Sequence, residues 1–274
     1  MKQENIAVSF LVMFGLASIG KSAIDLYNRI CRLASISAAV ISLAVRPSSW
    51  TLPTRMVLAR QIIFTGYDAI GFIAVVAMLT GISVVVQTQV WMGRLGQSEL
   101  LGPLLVTVIV REVGPLLVNF IVIGRSATAM AAEMAGMKVR REVDVLDAQG
   151  LDPLAFLVMP RAISMALCVF GLVMLFILFS FVSGYLSGAF LQTGPTDPAI
   201  FARSVIRGVE PRDFYNVLAK TLLPGLVTGV IAANEGLSVE GVATDIPQAV
   251  TRTVTRSNLA VLIISVVVSI LTYM

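Results

Sequence analysis

The chain contains no histidine and only two cysteines. The first absence removes imidazole acid–base chemistry and the usual zinc ligand sets. The second leaves no disulfide framework, and Cys31 and Cys168 read as small apolar residues, not as a bridge or a metal site. Charge is equally scarce, at 13% of 274 residues. That is too little for the surface of a soluble domain this long. The net charge of +4 is read as a bias toward anionic lipid headgroups, with no nucleic acid implied. No cleavable leader is evident, because MKQEN is barely positive and no A-x-A site follows 6–19.

What is present is apolar. Hydrophobic residues make up 57% of the chain, and the mean hydropathy is +0.90. Charge-free runs recur at 69–90, 101–110, 116–124, 162–193, 221–234 and 258–274. A span needs about 20 such residues to cross about 30 Å of hydrocarbon. None of the runs alternates with the period of two that a β-barrel requires. The expectation is an all-α polytopic membrane protein with about five spans: 67–91, 103–126, 161–191, 216–235 and 257–273.

The first 65 residues are expected to form a separate interfacial segment, with a permease domain from 66 to 274. The apolar stretches 6–19 and 33–45 are short for spans. Lys21, Asp25, Arg29 and Arg32 share one helix face between them, and a second amphipathic stretch covers 54–64. Two extra short spans are the alternative. Basic residues cluster before residue 65 and at Arg125, Lys138, Arg140, Arg141 and Arg161, which places the N-terminus and the second-to-third loop in the cytoplasm. Arg203, Arg207 and Arg212 then lie outside, against the same rule.

Three motifs bear on function. GLASIGKS at 15–22 fits a phosphate-binding loop pattern, but it lacks the strand and the α/β domain that such a loop serves, so it is set aside. Arg111 and Glu112 fall inside the second apolar run, where ionisable groups are costly. They project about 100° apart and do not simply pair with each other. Pro115 offers no N–H to the Arg111 carbonyl and favours a kink there. The two charges either bond to neighbouring helices or mark a polar point on a substrate path. Val84, Gln87, Trp91 and Leu95 recur on one face of the first span and are the other candidates for that path. The third motif is the segment 130–150. After Gly124-Arg125 the chain is expected to leave the second span and form a short charged helix. Val139, Val143 and Leu146 make its apolar stripe, among Lys138, Arg140, Arg141, Glu142, Asp144 and Asp147. Such a helix between two spans can pass a partner's movement to both. An ordinary solvated loop is the alternative.

REVGP at 111–115, GR at 124–125, AEMAGMKVRREVDVLDAQGLDP at 132–153 and EGLSVEGVATDIPQAVTRTVTRS at 235–257 together resemble the MlaE (YrbE) family of ABC-transporter permeases. Arg60-Gln61, Gly81 and Gln87 fit its first-span pattern, and the likeness runs from about 55 to 270. The resemblance implies a permease with no catalytic residues and no cofactor of its own. It implies a second copy of the chain, a cytoplasmic ABC ATPase dimer and a periplasmic MCE-domain protein as partners. The implied cargo is a phospholipid moved between the inner and outer membranes of a bacterium. Arg111 and Glu112 would lie by the lipid cavity. A coupling helix would carry Glu133, Met137, Val139, Arg140, Arg141, Val143 and Leu146. The chain departs from the family pattern at Ser265, where an acidic residue is frequent, and at Ala232-Ala233-Asn234-Glu235-Gly236, where the small stretch often contains cysteine and tyrosine. A different class of function, an ion-coupled carrier using Glu112, and a passive scaffold are the other readings.

Overall fold

The structure is a computed structural model, and it describes residues 24, 28, 30–95, 100–191 and 197–274. The stretch 6–19, the phosphate-loop match at 15–22 and the charged face at Lys21, Asp25 and Arg29 lie outside the described residues. Among the described residues every regular element is helical. We number them α1 (Ile30–Val45), α2 (Leu52–Thr65), α3 (Ile70–Leu95), α4 (Leu101–Val139), α5 (Glu142–Ala148), α6 (Leu154–Phe190), α7 (Pro198–Gly208), α8 (Pro211–Leu237) and α9 (Ile246–Tyr273). Among the described residues, five helical stretches are long and apolar enough to cross a membrane: α2–α3, α4, α6, α8 and α9 with the turn before it. The chain is an all-α polytopic membrane protein. The spans alternate in direction, so the α4–α5 turn and the α8–α9 turn share one end, and α7 lies at the other.

One boundary differs from the sequence reading. The chain does not leave α4 at Gly124-Arg125. The helix runs on to Val139 through two π-helical stretches, Val106–Val113 and Ile123–Ala127. The extension is held by burial of Met130, Ala131, Met134 and Ala135 against neighbouring helices, and that packing outweighs the local glycine signal. The connection after α6 carries a helix of its own, α7. Asp197 caps α7 by accepting from the Ala199 N–H at 2.8 Å, with Pro198 in the first turn.

The centre of the fold is α6, which packs on α2, α3 and α8. Small residues set its distance from α3. A Cβ on Gly81 would meet the Ser180 carbonyl oxygen at 2.1 Å, and one on Gly184 would meet Val85 at 2.3 Å. Such close approach is how spans associate where lipid removes the hydrophobic driving force between them. Ser180 and Ser183 then donate across the interface to the carbonyls of Ala77 and Met78, at 3.0 and 3.1 Å.

Candidate functional site

Two prolines build the polar centre of the molecule. Pro115 cannot donate to the Arg111 carbonyl, and Pro224, inside α8, cannot donate to the Lys220 carbonyl. Each helix repairs the other. The Lys220 ammonium donates to the Arg111 carbonyl at 2.7 Å, and the Asn119 side-chain amide donates to the Lys220 carbonyl at 3.2 Å. Asn119 also donates to the Pro115 carbonyl at 2.8 Å. The stretch Val106–Val113 just before Pro115 is π-helical, the wider turn often found where a helix carries function.

Arg111 and Glu112 of α4 are engaged in the same contact. Glu112 accepts from Lys220 at 2.7 Å and from the Ser269 hydroxyl of α9 at 2.9 Å. Arg111 Nη2 donates to Asp213 Oδ2 at 3.2 Å. Its Nε lies 2.8 Å from Asp213 Oδ1, a charge contact without hydrogen-bond alignment. The Tyr273 hydroxyl donates to Asp213 at 2.8 Å, and the Arg111 guanidinium sits 4.8 Å from the centre of the Tyr273 ring. Asp213 is buried, as is Lys220 at 1% exposure, while Glu112 keeps 44% of its side chain open. Glu210 also lies 3.6 Å from Arg111 and is paired with Arg212 at 2.9 Å, so three cations meet three carboxylates and the junction of α4, α8 and α9 is neutral. It lies ten residues into α4 from Leu101, about 15 Å along the helix.

The four predicted residues of α3 do come together. Val84, Gln87, Trp91 and Leu95 line a groove of about 430 Å³ with Leu104 and Val108 of α4. Arg111 and Glu112 are not among its lining residues. The structure separates the two halves of the expected path: a mostly apolar groove, with Gln87, Thr88 and Trp91 as its polar residues, on the α3 side of α4, and a charged junction on the α8–α9 side.

At the α5 end, Arg161 of α6 is 6% exposed and donates to Glu133 of α4 at 2.7 Å. Glu235, buried at the end of α8, pairs with Arg252 and Arg256 of α9. Arg141 turns the chain from α4 into α5 at φ 56°, a left-handed value uncommon for a residue with a side chain. Arg140 reaches Glu142 at 2.5 Å, and that bond and charge raise its pKa. Val139 and Met137 are half-buried. Val143 is buried and Leu146 packs beside it on the chain's own core. The apolar stripe of the expected coupling helix thus faces inward. Its exposed side presents Val145, Asp144 and Asp147.

The profile described as Permease MlaE matches residues 58–271. The chain belongs to the MlaE permease family. It is 26% identical over 253 residues to a probable ABC transporter permease protein of Rickettsia conorii, covering 92% of this chain and 95% of that one. It is 30% identical over 168 residues to a probable ABC transporter permease protein of Synechocystis, covering 61% of this chain and 63% of that one. A chloroplast protein of Arabidopsis thaliana, named Trigalactosyldiacylglycerol 1, is 27% identical over 212 residues, covering 77% of this chain and 59% of that one. As an MlaE permease the chain is the membrane-spanning permease of an ABC transporter.

Sequence reasoning missed Lys220, Asp213, Ser269 and Tyr273. A signal for Lys220 was available. It is a lone lysine inside the fourth span, four residues before a proline, while Arg111 stands four residues before Pro115. Tyr273 and Ser269 carry no comparable mark.

Proposed function

We propose that the chain is one half of an ABC transporter that moves phospholipids between the inner and outer membranes, with a second copy completing the cavity. A cytoplasmic ATPase dimer drives it, and a periplasmic MCE-domain protein exchanges the lipid. The chain sits in a bacterial inner membrane with its N-terminus and α5 in the cytoplasm. The observation that carries this reading is the groove between α3 and α4. Lifting a phospholipid from the bilayer exposes its acyl chains at about 0.8 kcal/mol per CH₂. A carrier must therefore keep the chains covered, and Val84, Leu95, Leu104 and Val108 offer apolar wall, with Gln87 and Trp91 for the polar end. The family and the name of its plant relative, which contains a galactolipid, support a membrane lipid as the cargo.

Movement enters at the Arg141 turn, where the exposed side of α5 meets the ATPase. Glu133 and Arg161 tie that end of α4 to α6, and Glu235 ties α8 to α9. A shift at the turn travels along α4 as one rod, through the π-helical stretches, to the neutral junction and to the groove wall at Leu104 and Val108. The junction lets α4 move with α8 and α9 without exposing a free charge to lipid.

The ion-coupled alternative asks Glu112 to gain and lose a cation. Lys220 already supplies a fixed counter-charge 2.7 Å away. The two readings part in proteoliposomes holding the permease and its ATPase with a fluorescent phospholipid. ATP should drive lipid transfer to acceptor vesicles, and a proton gradient alone should drive none. Transfer driven by the gradient without the ATPase would end the ABC reading.

A further inference from the structure

A second cavity, of about 380 Å³, opens at the α5 end between α2, α4 and α6. It is separate from the α3–α4 groove, and Arg60 and Gln61, part of the sequence motif, lie on its wall. Its floor is polar. Arg161 is more than nine-tenths buried, and two of its three nitrogens are used, on Glu133 and on the Leu157 carbonyl at 3.2 Å. The third, Nε, is buried with no partner among the described residues. An orphaned buried donor is costly and calls for an acceptor. Arg60 is exposed and makes no ion pair with a described residue. Glu133 offsets one of the two guanidinium charges, so the cavity keeps a surplus of one positive charge.

The other walls are apolar: Pro53, Met56, Val57, Phe64 and Phe156. Met56 is 62% exposed, and Leu52 and Ile63 of the same helix are also open. A free anion would have no use for these walls. A molecule with one negative charge beside a hydrocarbon chain fits both halves. The depth agrees, because Arg161 stands at the polar end of an apolar span and Arg125 bonds the nearby Phe64 carbonyl at 3.1 Å. Long basic side chains at span ends sit at the headgroup level.

We propose that this cavity holds one resident anionic phospholipid, its phosphate shared by Arg60 and Arg161 and an acyl chain along Met56, Val57 and Phe156. Bound there, it braces α2 against α4 and α6 beside the turn that receives the ATPase. It is distinct from the transported lipid in the α3–α4 groove.

The test is native mass spectrometry of the purified full chain, titrated in detergent with phosphatidylglycerol or with phosphatidylcholine. Phosphatidylglycerol should be retained about fivefold better, the factor expected for one partly exposed charge pair. Arg60→Gln, at an exposed position that folding tolerates, should erase that preference, and Met56→Trp, which fills the cavity, should expel the lipid. Val84→Trp, which fills the other groove, should leave it bound. Equal retention of the two lipids would overturn the proposal. So would unchanged retention in both Arg60→Gln and Met56→Trp, or loss of the same lipid in Val84→Trp. Displacement by millimolar inorganic phosphate would identify a free-anion site and overturn the lipid assignment.

Discussion

Replacing Lys220 with methionine keeps the length of the side chain and removes one ammonium. Three things change together. Glu112 loses its partner at 2.7 Å, the Arg111 carbonyl loses the donor that stands in for the missing Pro115 N–H, and the junction acquires a net negative charge. Interhelical hydrogen bonds in bilayers average about 0.6 kcal/mol and reach about 1.7 kcal/mol. The charged Lys220–Glu112 bond belongs at the upper end, reduced by the open side of Glu112. We expect a coupling of about 1.5 kcal/mol. The whole Lys220→Met loss is larger, about 3 kcal/mol, because an orphaned buried carbonyl costs a further ~1–3 kcal/mol. The assay is a double-mutant cycle of Lys220→Met and Glu112→Gln, with stability read by steric trapping in micelles. The double variant should be more stable than the sum of the two losses predicts. Additivity within about 0.3 kcal/mol, inside the usual error for independent sites, would mean that the two charges do not hold the helices together.

The proline exchange makes a second prediction: Asn119→Leu should cost about 1 kcal/mol, and less in a Pro224→Ala background, where a backbone N–H serves the Lys220 carbonyl again. Equal costs in both backgrounds would break the argument. Gly81→Val should abolish the folded, monodisperse protein in size-exclusion chromatography, because even a Cβ there would lie 2.1 Å from the Ser180 carbonyl oxygen. Val145→Asp, on the exposed side of α5, should abolish co-purification of the ATPase while leaving the permease folded. Val143→Asp, on the buried side, should lower thermal stability directly by placing a charge in the core. Labelling of a cysteine at Ser48 should require opened membranes, whereas a cysteine at Arg207 should react in intact spheroplasts, and the reverse pattern would invert the proposed orientation.

The spans were legible because membrane crossing writes itself into composition, and each charge-free run became the heart of a helix. Their ends were not. The α4 extension holds Glu133, Lys138, Gly136 and several alanines, which read as a separate short helix until Met130 and Met134 find α8 and α9 to bury against. The pairing of Val84, Gln87, Trp91 and Leu95 in one groove followed from spacing alone, since a helix face is fixed by its period. The fate of Arg111 and Glu112 did not. Their partners sit about a hundred or more residues away on α8 and α9, and one sequence carries no record of which helices touch. Pro115 and Pro224 were the nearest thing to such a record. Each frees a carbonyl, and a freed carbonyl at that depth must be met by a side chain from elsewhere.

In the proposed cycle, lipid passes through the α3–α4 groove under the control of the ATPase. A phospholipid with a photoreactive acyl chain, incorporated with the permease–ATPase complex in proteoliposomes, tests it by mapping the labelled peptides. Label is expected on the α3 peptide holding Val84 to Leu95 and on the α4 peptide holding Leu104 and Val108. The label should change when the ATPase is trapped with ATP and vanadate, and it should vanish in Val84→Trp. Label confined to the lipid-facing side of α9, at Leu259 and Val266, with the groove unlabelled in every state, would contradict it.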